Sequence, residues 1–177
     1  MRADRLRDEH NIRISTTHFP LHPETPPEGV SLEQLFAGRN VDLAASQTRL
    51  QRILEEEGQP YGERRMTYNS RLAQELSKWA ETQPAGDQIH QALFHAYFVR
   101  GENLAEEEVL LHAAQEAGLS RIDAKTVLVD RSFQQAVDED WLRCRNLGIS
   151  SVPTYRFDRQ FIVGAQPYEV LERLISA

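Results

Sequence analysis

The chain has 177 residues, 40% hydrophobic and 27% charged, enough for one compact core with an added subdomain and too apolar for a disordered segment. Its net charge of -7 and pI near 5.4, with arginines scattered rather than clustered, argue against a nucleic-acid partner, which selects for a concentrated basic face. The single cysteine, Cys144, excludes an internal disulfide, a C-x-x-C redox pair and a cysteine-based zinc site within this chain.

The N-terminus, MRADRLRDEHNIRIS, begins as charged helix and carries no apolar signal-peptide core, so a cytoplasmic location is expected. Residues 12–18 then alternate, with Ile12, Ile14 and Thr16 on one side, as a half-buried strand does. The stretch PLHPETPPEG holds four prolines and a glycine in ten residues and reads as an extended connector. From residue 31 to residue 147 the pattern is helical. Ser31 with Glu33 and Gln34 caps a short helix, and residues 42–57 place Leu43, Leu50, Ile53 and Leu54 on one face before Gly58. Asn69 caps SRLAQELSKWAE, which carries Leu72, Leu76 and Trp79 on one face. QIHQALFHAYFVRGENL has a wide apolar face, and AEEEVLLHAAQEAGL has acids in its first turn, where the helix dipole favours them, and ends at Gly118. A short helix near residues 123–129 leads into SFQQAVDEDWLRCRNLG, which stops at Gly148. Strand character then returns in TYRF and QFIV, joined by Asp158 and Arg159 as a tight hairpin, and QPYEVLERLISA closes the chain as an amphipathic helix with Pro167 in its first turn. Apolar runs such as VLL, VLV and FIV are only a few residues long and fall far short of the roughly 18–20 residues that cross a bilayer, so no membrane partner is expected.

One stretch resists this reading. GISSVPTYRF opens a strand with a proline, which cannot donate to a ladder. Two readings of the residues are open: a trans proline that merely starts an edge strand, or a cis Val152–Pro153 bond, a form taken by about 5–6% of X–Pro bonds in folded proteins, which would turn the backbone groups of Val152 outward at the sheet edge, where an extended peptide could pair with them. Together with LFHAYFVRGENLAEEEVLLHAAQEAGL, FPLHPETPPEG and WLRCRNLGISSVP, the stretch GISSVPTYRFDRQFIVGAQPYEVLERLI resembles the FrnE-type branch of the DsbA-like thioredoxin-fold oxidoreductases, relatives of the 2-hydroxychromene-2-carboxylate isomerases. The likeness extends over essentially the whole chain, with the LF-AYF-G-N segment, the G-x-x-x-V-P loop and the GAQP turn in order.

That resemblance implies an α/β thioredoxin-like fold with a large all-helical insertion: residues 1–30 and 148–177 as a partial thioredoxin-like domain, and residues 31–147 as the insertion. It also implies that Pro153 is the cis-proline opposite the redox motif, and that Val152 and Ser151 meet an extended peptide or thiol substrate. The family's C-x-x-C follows its first strand, at a helix start that lowers the thiol pKa for attack on a disulfide. This sequence has neither that strand nor that motif and reads as lacking the first strand and the start of the first helix, as a shortened gene model or truncated copy would. The absent strand would lie between residues 12–18 and 154–157, leaving a slot in mid-sheet that a second copy could fill, making a homodimer. Cys144, late in the last helix of the insertion, reads as an ordinary helix residue rather than a substitute nucleophile.

The functional expectation is a disulfide oxidoreductase of this family, inactive in dithiol exchange as this chain stands. A non-catalytic peptide-binding module is the alternative. A glutathione-dependent isomerase or transferase fits less well, because those relatives hold glutathione with a Ser-Asp pair where residues 164–167 read GAQP. No cofactor or metal is expected. His90 and His95 are five apart and so share no helix face, His10, His18, His22 and His112 are scattered, and with no H-E-x-x-H pattern all six read as surface or cap residues. Phe94, Tyr97 and Phe98, at helical spacing, read as core.

Overall fold

The computed structural model describes residues 2–176, leaving aside the side chain of residue 4. In chain order the elements are α1 (Arg2–His10), β1 (Val30–Ser31), α2 (Leu32–Leu35), α3 (Leu43–Glu56), β2 (Met66–Thr67) and α4 (Arg71–Ala80). A 3-10 turn (Gly86–Gln88), α5 (Ile89–Phe94), a π-helical turn (His95–Val99), α6 (Glu107–Glu116), α7 (Arg121–Asp130) and α8 (Gln134–Asn146) follow. The chain closes with β3 (Thr154–Phe157), β4 (Gln160–Val163) and α9 (Tyr168–Ser176). Two compact units result: Met1–Leu21 with Asp138–Ala177, and His22–Val137. Both divisions fall earlier than the 30/31 and 147/148 boundaries read from the sequence, one inside the proline-rich connector and one inside α8.

The His22–Val137 unit is helical because its sequence repeats small and branched apolar residues at helical spacing. Leu76 of α4, Ile89 of α5 and Leu110 and Leu111 of α6 are fully buried, with Trp79, Leu93 and Leu128 around them. Each such leucine or isoleucine contributes about 1.5–3 kcal/mol by leaving water. Alanines 80, 96, 113, 114 and 124, all fully buried, let the helix backbones approach. The caps are local. Ser31 Oγ accepts from the Gln34 N–H while Gln34 Oε1 accepts from the Ser31 N–H, a reciprocal capping box, and Asp42 Oδ1 accepts from the Ala45 N–H at the start of α3. Asn69 acts one residue outside the helix start: its Oδ1 accepts from the Arg71 N–H, its amide donates to the Pro23 and Thr25 carbonyls, and Ser70 takes the N-cap position, its Oγ accepting from the Gln74 side chain rather than from a backbone N–H. Between α4 and α7 sits a buried ion cluster: Glu75, with no exposed side-chain surface, accepts from Arg71 Nε at 2.6 Å and from Arg131 Nε and Nη2 at 2.7 and 2.6 Å.

Two features of this unit escape the sequence pattern. β1 and β2 pair antiparallel over two residues each, Val30 opposite Thr67 and Ser31 opposite Met66. The helix read over QIHQALFHAYFVRGENL is not uniform: it widens at His95, where the Arg100 N–H reaches back five residues to the His95 carbonyl at 2.9 Å.

In the other unit, β3 and β4 form the expected hairpin, in register Thr154 with Val163 through Phe157 with Gln160. Asp158 takes φ +52°, a left-handed conformation that aspartate tolerates, and Arg156 Nε donates to its carbonyl at 2.7 Å. The cross-strand pair Tyr155 and Ile162 packs with Leu6, Ile12, Tyr168, Leu171 and Ile175 in a small core with α1 and α9. The expectation of a strand over residues 12–18 is corrected here: the segment is irregular. A strand is held by ladder bonds to a neighbour, and this segment instead directs the Ile12 N–H to the Arg7 carbonyl and the His18 N–H to the Asp140 carboxylate. Among the described residues the sheets are therefore two separate antiparallel pairs, not one mixed sheet.

Candidate functional site

The loop singled out in the sequence is built by the end of α8. Gly148, at φ +67°, donates its N–H to the Arg145 carbonyl, and the Ile149 N–H reaches the Cys144 carbonyl, a paired closure that stops the helix and requires a residue free of Cβ strain. The chain then passes through Ser151 and Val152 to Pro153, and the Val152–Pro153 peptide bond is cis. Thr154 Oγ1 donates to the Ser151 carbonyl at 2.7 Å, and the Gly164 N–H donates to the Pro153 carbonyl at 2.8 Å, fixing the loop to the hairpin on both sides. Val152 is 44% exposed. Among the described residues its N–H and C=O have no partner. The three residues proposed from sequence are thus brought together as one rigid turn with a free pair of main-chain groups. Beside it, Phe161 and Val163 of β4 lie exposed on the hairpin face opposite Tyr155 and Ile162.

Cys144 lies on α8, 3% exposed, with its thiol directed at the His18 carbonyl at 3.6 Å. Burial, and then the Asp140 carboxylate, push its pKa above the ordinary thiol value, the opposite of what a nucleophile needs. Alkylation of the folded chain by iodoacetamide at pH 8 should therefore run at least about tenfold more slowly than in denaturant, since attack requires the thiolate and local opening. Equal rates in a timed mass-spectrometric assay would contradict this burial.

Among the described residues one histidine joins two carboxylates. His10 Nε2 lies 3.2 Å from Glu172 Oε1, and with Glu9 these groups lie within 4.8 Å of one another. The separation of 162 positions between His10 and Glu172 hides that grouping from any sequence pattern. Arg5 and the Tyr168 hydroxyl already donate to Glu9, so its carboxylate serves as the hub of a helix-to-helix contact between α1 and α9. Phe94, Tyr97 and Phe98 are half-buried rather than core. Phe94 and Phe98 stack at 5.2 Å, Tyr97 meets Phe98 edge-on at 4.8 Å, and Tyr61 flanks Phe98 at 6.4 Å. The end of α5 and the π-helical turn carry Phe94, Tyr97 and Phe98, whose helical spacing the sequence shows, whereas Tyr61 joins them from the segment before β2, which no periodicity in the sequence marks.

A family model described as the DSBA-like thioredoxin domain matches residues 1–176. Among solved structures, a probable DsbA oxidoreductase from Streptomyces coelicolor superposes with a TM-score of 0.89 at 22% identity, covering 99% of this chain and 80% of that one. A candidate protein disulfide isomerase from Nitrosomonas europaea superposes with a TM-score of 0.67 at 16% identity, covering 99% and 86%. At these identities the likeness is one of fold. The uncharacterized protein YwbO of Bacillus subtilis (strain 168) is 28% identical over 109 residues, 59% of this chain and 53% of that protein's length. The match thus spans about half of that curated relative.

Proposed function

Because the chain belongs to the DSBA-like thioredoxin domain family, we propose that it is an FrnE-type member whose loop at Ser151, Val152 and Pro153 receives an extended polypeptide, and that this chain by itself does not carry out dithiol exchange. The observation that carries the reading is the exposed Val152, whose N–H and C=O stand free at the head of β3. An extended segment laid alongside would accept from the one and donate to the other, and the exposed Val152 side chain would meet its side chains, which is how main-chain pairing gives affinity and flanking groups give selectivity. Thr154 and Gly164 hold the loop in place while this happens, so little ordering is left to oppose binding.

The chemistry of exchange sets the limit. A thiolate attacks one sulfur of a disulfide, a mixed disulfide forms with loss of the other sulfur as thiolate, and a second thiol must resolve it. One cysteine cannot perform both steps, and Cys144, buried with a raised pKa, is not placed for the first. In an insulin-reduction assay the 177-residue chain should match buffer; turnover abolished by Cys144→Ser would overturn this part of the reading. Binding is tested separately with a fluorescent, carboxymethylated unfolded polypeptide. Val152→Asp should weaken it roughly tenfold, the equivalent of about 1.4 kcal/mol, by placing a carboxylate beside the pairing groups. Undiminished affinity in a folded variant would move the peptide site elsewhere.

A further inference from the structure

The His22–Val137 unit holds a cavity of about 240 Å³ between residues 63–68 and the end of the π-helical turn, lined in part by Arg64, Arg65, Tyr68, Tyr97 and Arg100. The three arginines differ in what they meet. Arg65 is matched by Glu63 at 2.9 Å, and Arg100 by Glu102 at 2.9 Å and Glu116 at 3.1 Å. Arg64 is half-buried and donates only its Nε, to the Met66 carbonyl at 3.2 Å. Its guanidinium carbon lies 5.0 Å from the Tyr97 ring centre and 5.7 Å from that of Phe98, and among the described residues it has no carboxylate partner. A guanidinium carries five donors in one plane, so rings against its face leave the terminal N–H groups free to bond at the edge. The positive field reaches His22, whose pKa is held down first by burial and then by Arg39 and Arg64.

The platform beneath this cation is held rigidly. The Tyr97 hydroxyl donates to Thr67 Oγ1 at 3.1 Å, fixing its ring, and Tyr68 meets Tyr97 edge-on at 6.4 Å. Two glycines permit the arrangement: a Cβ on Gly29 would lie 2.4 Å from Tyr68 Cδ1, and one on Gly62 would lie 2.3 Å from the Val99 carbonyl oxygen. The segment leading to Arg64 is thereby drawn against the π-helical turn, where the Gly62 N–H bonds the Phe98 carbonyl at 2.8 Å.

We propose that this cavity binds a small organic carboxylate with a flat apolar body, its carboxylate taken by the terminal nitrogens of Arg64 and its body resting against Tyr97 and Tyr68. A planar fork matches a planar carboxylate through two parallel bonds, and a single unmatched cation answers a single negative charge better than a phosphate dianion. The volume lies below the roughly 300–1,000 Å³ of drug-sized sites, which selects a ligand of single-ring size.

The test is a titration of the full chain with benzoate, followed by backbone amide NMR at fixed pH and ionic strength, with benzamide as the uncharged counterpart of the same shape. Benzoate should give saturable shifts at Tyr97 and Gly101, with benzamide at least about tenfold weaker, the difference a charge-assisted pair supplies. Arg64→Gln should erase that difference. Equal affinity of the two ligands, absence of saturable shifts, or displacement of benzoate by equimolar inorganic phosphate would each overturn the proposal in the unsubstituted protein, whatever the variant's fold.

Discussion

Glu75→Gln is expected to lower the stability of the helical unit by about 2–4 kcal/mol, among the largest effects of any single polar substitution in the chain. The carboxylate has no exposed surface and receives three charge-assisted hydrogen bonds, from Arg71 across one helical turn and from Arg131 at the end of α7. Glutamine keeps the shape but offers one neutral oxygen to two cations, and its amide N–H groups point donors at donors. The arginines retain 16% and 40% of their side-chain exposure, so water recovers part of the loss and the effect stays below that of a fully enclosed pair. Burial alone would raise the carboxyl's pKa; the bonds from Arg131 and then Arg71 outweigh it, and the group ends below its ordinary value of 4.5. A depressed folded pKa means that the stabilisation is complete above about 4.5, where the unfolded chain also ionises, and drains away as pH falls through the lower folded value. Urea midpoints measured from pH 7 to pH 3 should show the gap between wild type and variant narrowing on the acid side. A gap that stays constant across that range would mean the carboxylate charge is not what Glu75 contributes.

The same residue shows what a sequence can and cannot disclose. In SRLAQELSKWAE, Glu75 sits three residues after Leu72 and four before Trp79, so the helical period itself places it on the buried face. Its partner Arg131 lies 56 residues away and no local rule finds it. Helix starts and stops were legible because caps and left-handed glycines act within one turn, as at Ser31, Asp42, Gly118 and Gly148. The hairpin was legible for the same reason, since alternation and a two-residue turn are local; the proline at the strand head marked the loop, and the family resemblance decided between its trans and cis forms. Residues 12–18 failed because alternation states only which side chains could share a face, whereas a strand exists only if another backbone answers its own. The pairing of β1 with β2 joins segments too short to leave a period, and the widening at His95 preserves the apolar spacing that a regular helix would show. Arg64 was invisible for a related reason: within GERRM an unmatched arginine reads like any solvated charge, and only the fold shows that it lies against Tyr97 without a carboxylate partner.

Gly86→Ala is expected to cost about 2–3 kcal/mol, although glycine-to-alanine changes at compatible positions usually stabilise by about 0.4–1 kcal/mol through the unfolded chain. Gly86 begins the 3-10 turn that reverses the chain between α4 and α5, and its backbone lies directly on the end of α4. A Cβ there would stand 1.8 Å from the Ala80 carbonyl oxygen, 2.5 Å from its carbonyl carbon and 3.2 Å from the Glu81 nitrogen. All three are main-chain atoms, so no rotamer change relieves the clash. The turn cannot open freely, because the Gln83 N–H holds the Ala80 carbonyl at 2.8 Å and the Gly86 N–H holds the Gln83 carbonyl at 3.1 Å. Retreat in one direction displaces Ala80, and in the other Ile89, and both are fully buried in the helical core. The strain therefore passes into packing around Leu76 and Leu93, where a shift of a few tenths of an ångström already forfeits contact. Chemical denaturation should show the midpoint falling with the slope unchanged, since the clash alters the native state rather than the surface exposed on unfolding. A variant as stable as the parent would show that the end of α4 and the start of α5 are not held as closely as these contacts require.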